Sequence, residues 1–254
     1  MSEVYAQWAA SHAMELFIAL PVLAGAAALL VVRAFVGGSA LTRRAMVGAG
    51  VSAGVAIFLV LAAAVHSRGR VVAFDGALAD ALSMSMDASL LWLLSWVTYL
   101  GDRNFLTVLS VAMTLYLLWT GRWRLAAFCA ITTGLGGLLN RVLKVTFERV
   151  RPEHDHGFAA AMGWSFPSGH ASAAMAVYGT ACYLLWRLAP ASWRWPGVAA
   201  AAALIMAIGL SRILLQVHFA SDVTAGFAVT LAWLAVCVVV AERYCGSCRA
   251  EQQP

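Results

Sequence analysis

Long apolar runs alternate with short polar connections along most of this chain. The runs cover about 15–35, 45–66, 104–120, 125–143, 171–188, 198–217 and 223–241. A helix needs about 20 apolar residues to cross roughly 30 Å of hydrocarbon. The pattern therefore predicts an all-α fold, a polytopic transmembrane helix bundle with about seven spans.

The segment 67–103, between the second and third runs, has a different pattern, because polar and apolar residues are mixed. It contains four aspartates and several aromatic residues: Asp75, Asp80, Asp87, Asp102, Trp92, Trp96 and Tyr99. Tryptophan and tyrosine favour the boundary between lipid and water. The segment is therefore expected to form amphipathic helix at the membrane interface.

Composition supports a membrane protein and argues against a soluble one. Hydrophobic residues make up 62% of the 254-residue chain and charged residues 11%, whereas a typical soluble domain has about 25% charged residues. The formal net charge is +5. Most arginines lie in short loops between apolar runs, so they indicate membrane topology, and no nucleic-acid partner is expected.

The distribution of these arginines predicts the orientation of the chain. One set of alternate loops has nine basic residues, Arg33, Arg43, Arg44, Arg122, Arg124, Arg187, Arg194, Arg243 and Arg249, against the two acids Glu242 and Glu251. Basic loops stay in the cytoplasm. The N-terminus is therefore expected outside and the C-terminus inside, in a multi-pass protein of the cell (inner) membrane. No basic residue precedes Arg33, so no cleavable signal peptide is expected.

The five cysteines do not indicate a metal or redox centre. Three lie in apolar runs, where cysteine behaves as a small hydrophobic residue. Cys245 and Cys248 form a single CxxC pair in the tail. A structural zinc site needs four ligands, so we expect neither a metal nor a redox role for this pair.

Three polar clusters interrupt the apolar pattern, and seven spans would place all three on the outer face. They are KVTFERVRP at 144–152, FPSGH at 166–170 and SRILLQVHFASD at 211–222. Each lies at the end of a predicted span. The bundle therefore predicts one polar site, at the periplasmic side, from segments that are far apart in sequence.

The FPSGH cluster has the features of an anion site at a helix N-terminus. Ser168 is a favourable N-cap for the apolar helix that follows, and Gly169 allows a ligand to approach the backbone closely. Free N–H groups and the helix dipole at such an end bind phosphate well. His170, in the first turn, would then stand beside the anion as a proton donor.

The third cluster has a second histidine with a carboxylate partner. His218 and Asp222 are four residues apart and share one face if the backbone is helical there. A carboxylate that holds one imidazole nitrogen leaves the other free as base or nucleophile. A simple salt bridge at a helix end is the alternative interpretation of this pair.

Three cations accompany these residues: Lys144, Arg151 and Arg212. Each taken alone could anchor a helix in the headgroup layer. Together with the Ser-Gly turn and the two histidines, they indicate a phosphate site. One histidine would attack phosphorus and the other would protonate the leaving group.

The arrangement KxxxxxxRP, PSGH and SRxxxxxHxxxD resembles the signature of the type-2 phosphatidic acid phosphatase superfamily. All three motifs occur in order, with the family's internal spacing: Lys144, Arg151 and Pro152; Pro167, Ser168, Gly169 and His170; Ser211, Arg212, His218 and Asp222. The resemblance covers 144–222 by motif and about 45–241 by helix layout.

Members of this superfamily usually have six spans, so the first run is an addition that the resemblance does not explain. The expected division is 1–44 as an extra N-terminal span, 45–241 as the phosphatase domain and 242–254 as a cytoplasmic tail.

The resemblance implies a role for each motif residue. His218 would attack phosphorus to form a phosphohistidine, with Asp222 orienting it. His170 would protonate the leaving group and then activate water. Phosphate oxygens would be bound by Lys144, Arg151, Ser168, the backbone at Gly169, and Arg212. The resemblance implies no metal and no other cofactor.

The predicted function is hydrolysis of a lipid phosphate or diphosphate, such as undecaprenyl diphosphate, phosphatidylglycerol phosphate, phosphatidic acid or a lipid A phosphate. A membrane phosphotransferase with the same phosphohistidine is an alternative, because the motifs do not distinguish water from another acceptor. A transporter or channel is a further alternative, but its polar residues would extend through the depth of the spans.

His154, Asp155 and His156 are expected to form a solvated loop rather than a substrate or metal contact. The motifs do not specify an oligomeric state.

Overall fold

A computed structural model describes residues 2–153, 157–159 and 162–245 of the chain. This part of the protein is built from helices, in the order α1 (Ser2–Ser11), α2 (Ala13–Gly37), α3 (Ala40–His66), α4 (Arg70–Ser85), α5 (Ala88–Tyr99), α6 (Arg103–Trp119), α7 (Trp123–Phe147), α8 (Gly169–Leu188), α9 (Ala191–Leu214) and α10 (Ala220–Cys245). The predicted all-α fold is confirmed.

A helix occurs at each of the seven predicted spans. Five of them are long and apolar enough to cross a membrane: α2, α3, α7, α9 and residues Ala220–Arg243 of α10. The other two positions are occupied by α6, which has 17 residues, and by α8, which begins with polar residues. The chain is thus a multi-pass membrane protein.

The centre of the bundle is α8, which packs against α7, α9 and α10, and α10 also packs against α3. The approach of α10 to the start of α8 requires Gly226. A β-carbon at this position would lie 2.9 Å from the carbonyl oxygen of Ser168. The glycine therefore allows the second turn of α10 to lie close to the start of α8.

The segment 67–103 folds as two helices, α4 and α5, which pack against the bundle. Leu82 and Leu94 are almost fully buried in an apolar cluster that also includes Leu214 and Leu215 at the end of α9. Asp75 of α4 is only 2% exposed. This aspartate therefore faces the protein interior, which the prediction of an interfacial amphipathic helix did not anticipate.

The additional N-terminal segment is closely associated with the rest of the fold. Helix α2 packs along α9, where a β-carbon at Gly25 would lie 3.1 Å from the carbonyl oxygen of Ala199. Helix α1 packs on α4, with Ala6 and Ala10 in the apolar cluster. The division of the chain near residue 44 stays a prediction.

Candidate active site

The three polar clusters meet at one end of the bundle. Lys144 lies in the last turn of α7 and Arg212 in the last turn of α9, whereas Ser168 caps α8 and Asp222 lies in the first turn of α10. Successive helices run in opposite directions, so their C-terminal and N-terminal ends alternate at this end of the bundle. A backbone hydrogen bond from the Ser168 N–H to the Asp222 carbonyl, 2.9 Å, joins two of the clusters directly.

The start of α8 has the capped geometry that its sequence predicts. The Ser168 hydroxyl is buried and accepts a hydrogen bond from the Ala171 N–H at 3.5 Å. A β-carbon at Gly169 would lie 3.6 Å from Cε of Lys144. The helix N-terminus, with its N–H groups that lack intrahelical partners, therefore lies beside a cationic side chain.

His170 lies in the first turn of α8, and its ring packs against the turn between α5 and α6. A β-carbon at Gly101 in this turn would lie 3.3 Å from Cδ2 of His170 and 2.5 Å from Cγ2 of Ile208. A side chain at this position would thus clash with Ile208 and crowd the imidazole. Glycine here positions the ring next to the helix N-terminus.

His218 is held between a carboxylate and a guanidinium. Its Nδ1 lies 3.4 Å from Oδ2 of Asp222, and its Nε2 lies 3.0 Å from Nη1 of Arg151. Arginine can only donate and a carboxylate only accepts. The neutral ring therefore has its proton on Nδ1 and its lone pair on Nε2, the nitrogen on the side of Arg151.

The contact between His218 and Asp222 does not depend on a continuous helix. Helix α10 begins at Ala220, so His218 lies in the connection that precedes it. Asp222 is oriented by the start of the helix: its Oδ2 accepts from the Phe219 N–H at 3.0 Å, as the side chain at position N3 does in a capping box. The Ser165 hydroxyl donates to the same oxygen.

The cations Lys144 and Arg151 are both anchored by the segment that precedes α8. Lys144 Nζ donates to the carbonyl of Trp164 at 2.5 Å and to that of Ser165 at 3.3 Å. Arg151 donates through Nε to the Gly163 carbonyl, 2.9 Å, and through Nη1 to the Val217 carbonyl, 2.6 Å. These carbonyls fix where the two charges lie relative to His218.

Arg212 reaches the site from α9 and is only 2% exposed. Its Nη1 donates to Oγ1 of Thr98 in α5 at 2.8 Å, while its buried Nε has no hydrogen-bond partner among the described residues. Buried polar groups normally have such a partner. Arg212 thus retains a donor for an anionic ligand. The role of Thr98 could not be predicted from the sequence, because Thr98 lies outside the three motifs.

The structure also brings buried residues to the site that the sequence analysis missed. Arg149 donates from Nη1 to Oδ1 of Asp222, 2.7 Å, and from Nη2 to Oδ2 of Asp75, 2.8 Å. Ser221 donates to Asp75 through its backbone N–H and its hydroxyl. The available signal was the first of the two arginines in KVTFERVRP, which the motif pattern does not include.

Burial sets the protonation of the histidine in the connection between α9 and α10. It lowers the pKa of His218 to about 3, although the hydrogen bond and the charge of Asp222 oppose this change. Burial likewise lowers the pKa of the Arg151 guanidinium, against the opposing charge of Asp222. At neutral pH His218 is an uncharged imidazole, as a nucleophile must be.

Some of the residues discussed in the sequence analysis lie outside the part of the chain that the structure describes. These are the loop residues His154, Asp155 and His156 and, in the tail, Cys248; the side chain of Cys245 is not described either. Within the described part of the chain, no group of three or more His, Cys, Asp or Glu residues is arranged to hold a metal ion.

Comparison with known proteins gives consistent results. Residues 123–244 match the family model of the PAP2 superfamily, a range that includes all three polar clusters. Phosphatidylglycerophosphatase B of Bacillus subtilis is 34% identical over 186 residues, which is 68% of this chain and 86% of the relative. A lipid A 1-phosphatase of Rhizobium johnstonii is 31% identical over 160 residues, 58% of this chain and 57% of the relative.

A solved structure shares the fold. It is the crystal structure of a transmembrane PAP2-type phosphatidylglycerolphosphate phosphatase from Bacillus subtilis, with 31% sequence identity and a TM-score of 0.67. The similarity covers 75% of this chain and 96% of that one.

Proposed function

The chain belongs to the PAP2 superfamily, and we propose that it is a membrane lipid phosphatase that works through a phosphohistidine at His218. The observation that carries the proposal is the setting of this imidazole. Asp222 holds Nδ1 and Arg151 faces Nε2. A bound phosphoryl group that accepts this Arg151 N–H through one of its oxygens would free the Nε2 lone pair beside its phosphorus.

In the first step, Nε2 of His218 attacks phosphorus and the bond between phosphorus and the leaving oxygen breaks. The ring becomes positively charged, and Asp222 stabilises this charge through the Nδ1 proton. His170 gives its proton to the leaving oxygen. Lys144 and the N-terminus of α8 stabilise the charge on the other phosphate oxygens, together with Arg151 and Arg212. A single donor of this kind contributes about 10²–10³ in rate.

In the second step, His170 takes a proton from water, and the water oxygen attacks the phosphorus of the phosphohistidine. The bond between phosphorus and Nε2 breaks, so inorganic phosphate leaves and His218 is neutral again. The same histidine thus acts as an acid and then as a base, as microscopic reversibility requires for a double displacement. The cations and the helix N-terminus provide the electrostatic stabilisation in both steps.

The proposed substrate is a phosphomonoester of a membrane lipid, and phosphatidylglycerol phosphate is the first compound to test. This choice follows the relative that the chain matches along most of its length, a phosphatidylglycerophosphatase. Lipid A 1-phosphate is the second compound, because a relative with that activity aligns over 57% of its length. The acyl chains would stay among the helices while the headgroup reaches the site.

We propose further that the site faces the periplasm from the inner membrane. The support is the excess of arginine in the loops at the opposite end of the bundle, such as Arg122 and Arg124 between α6 and α7. The site lies at the other end of α7, beside Lys144. A lipid in the outer leaflet would present its headgroup there.

The experiment is phosphate release by the purified full-length protein in detergent, across phosphatidylglycerol phosphate, lipid A 1-phosphate, phosphatidic acid and undecaprenyl diphosphate, with a chelator present. We expect hydrolysis that the chelator does not abolish and that vanadate inhibits, because vanadate mimics the five-coordinate phosphoryl transition state. Rapid quench at alkaline pH should trap a phosphohistidine, whose P–N bond is stable in alkali and hydrolyses in acid. The matched control is His66→Ala, a histidine at the end of α3 outside the polar clusters.

Three results would contradict the proposal. The first is turnover that requires added magnesium. The second is a His218→Ala variant with wild-type activity. The third is transfer of the phosphoryl group to a lipid or sugar acceptor without release of phosphate, which would identify a phosphotransferase.

A further inference from the structure

We propose that Arg149 and Asp75 form a positioning pair that orients Asp222, and through it the nucleophile His218. This inference rests on the proposed function. Arg149 is five residues after Lys144 and two before Arg151, but its guanidinium binds Asp222 and Asp75 and not His218. The guanidinium contacts Oδ1 of Asp222, whereas the imidazole contacts Oδ2.

The contacts on Asp222 divide between its two oxygens. Oδ2 receives Nδ1 of His218, the Ser165 hydroxyl and the Phe219 N–H. Oδ1 receives Nη1 of Arg149 at 2.7 Å. Since one oxygen serves the imidazole and the other is held by arginine, the carboxylate cannot rotate without breaking a charged hydrogen bond. Arg149 thereby sets the plane of the carboxylate that holds His218.

Asp75 holds the other end of the guanidinium. Its Oδ2 accepts from Nη2 of Arg149 at 2.8 Å, and the Arg149 side chain also lies over the ring of Phe219, with Cζ 4.2 Å from the ring centre. The side chains of Asp75 and Asp222 are 1% and 0% exposed, and that of Arg149 is 8% exposed. A planar guanidinium between two buried carboxylates has little freedom to move.

The two carboxylates also share one positive charge. If Arg149 were paired with Asp222 alone, its charge would be directed entirely at that carboxylate and would compete with the imidazole for it. Asp75 draws part of the guanidinium charge away. Asp222 therefore keeps more of its negative charge for the positive ring that forms when His218 attacks phosphorus.

Asp75 contributes to this arrangement from an unexpected part of the chain. It lies on α4, before the range 123–244 that matches the family model, and it is 147 positions from Asp222. Ser221, the neighbour of Asp222, donates to Asp75 through its N–H at 3.2 Å and through its hydroxyl. Helix α4 is thus joined to the start of α10 at the residue next to the catalytic carboxylate.

The test uses the full-length protein in detergent, with phosphatidylglycerol phosphate as substrate. Asp75→Asn keeps the shape of the side chain and removes its charge. We expect kcat to fall by at least about tenfold, since misplacement of a reacting group by about 1 Å costs up to about 10²-fold. KM and inhibition by vanadate should stay within about twofold, because Lys144, Arg151 and Arg212 are untouched. Asp80→Asn, at an exposed position of the same helix, is the matched control and should retain wild-type kcat.

A double variant tests whether Asp75 acts through Arg149. Arg149→Gln should lower kcat further than Asp75→Asn, and combining both changes should be no slower than Arg149→Gln alone. The kcat of Arg149→Lys should lie between those of the wild type and Arg149→Gln, because an ammonium keeps the charge but cannot bridge two carboxylates in one plane. If the effects of the two single changes multiply in the double variant, Asp75 does not act through Arg149 and the proposal is overturned.

Two further outcomes decide against the positioning role. Vanadate should raise the thermal unfolding temperature of the wild-type protein. One contradicting outcome is loss of this rise in Asp75→Asn or Arg149→Lys, which would show that the pair maintains the fold of the phosphate site. The other is a rise in KM with kcat unchanged, which would show a role in binding. Lack of turnover in the wild-type protein would instead contradict the proposed function, so the two failures are distinguishable.

Discussion

The guanidinium of Arg151 donates to Nε2 of His218 at 3.0 Å, so the cation is bound to the lone pair that would attack phosphorus. A phosphoryl group attacked by this nitrogen would have its oxygens within reach of the arginine. Five donor hydrogens in a fixed plane make arginine well suited to this task. The same side chain donates to the carbonyls of Gly163 and Val217. It therefore links the segment before α8 to the connection before α10.

The two histidines should respond differently to the leaving group. His218→Ala should abolish turnover and the phosphoenzyme, because the attacking nitrogen is lost. His170→Ala should slow a lipid phosphate more than nitrophenyl phosphate, since nitrophenolate leaves without a proton. Rates on both substrates, with phosphohistidine trapped by rapid quench, provide the measurement. A phosphoenzyme in His218→Ala but not in His170→Ala would mean that the roles are reversed.

Thr98 should matter for phosphate binding although it belongs to none of the motifs. Thr98→Val keeps the shape but removes the acceptor for Nη1 of Arg212. A buried donor without a partner costs about 1–3 kcal/mol, so we expect kcat/KM to fall about tenfold. Thr107→Val is the control, because the exposed hydroxyl of Thr107 donates only within α6, to the Arg103 carbonyl. Equal kinetics for the two variants would exclude a role for Thr98 at the site.

His218 should make the protein less stable in acid. Burial lowers its pKa from 6.5 to about 3, despite the opposing effect of Asp222. Between these values the unfolded chain binds a proton that the folded protein does not, so stability falls as the pH decreases. The loss begins near pH 6.5 and is complete near pH 3. The thermal unfolding temperature should thus decrease less from pH 7 to pH 4.5 in His218→Gln than in the wild type. The same decrease in both proteins would contradict this origin.

The orientation of the chain can be tested with single cysteines. Glu153→Cys, at an exposed position just after the first motif, should react with a membrane-impermeant maleimide in intact cells. Thr120→Cys, in the turn between α6 and α7, is the control and should react only after permeabilisation, as should Cys245 and Cys248. The reverse pattern would place the site in the cytoplasm.

Much of the fold follows from local sequence. The apolar runs predict the helices, since backbone groups in hydrocarbon must be satisfied within the segment. Ser168 predicts the start of α8, because a serine hydroxyl accepts from an N–H of the first turn. These features depend on neighbours in sequence. The same applies to the order and spacing of the three motifs, which indicated the family and the candidate residues.

The partners of the buried residues were decided by the tertiary structure. Arg149 and Arg151 are two residues apart in a segment without helix, yet Arg151 faces Nε2 of His218 and Arg149 faces Asp222 and Asp75. Nothing in KVTFERVRP distinguishes their roles. Which face each arginine presents depends on how the chain leaves α7, where Glu148 has a φ of 43°. Where Asp75 lies depends on the packing of α4 against the bundle. Such contacts join residues more than 60 positions apart. The sequence therefore determined the chemistry available to the site, and the packing of the helices determined which groups act on each other.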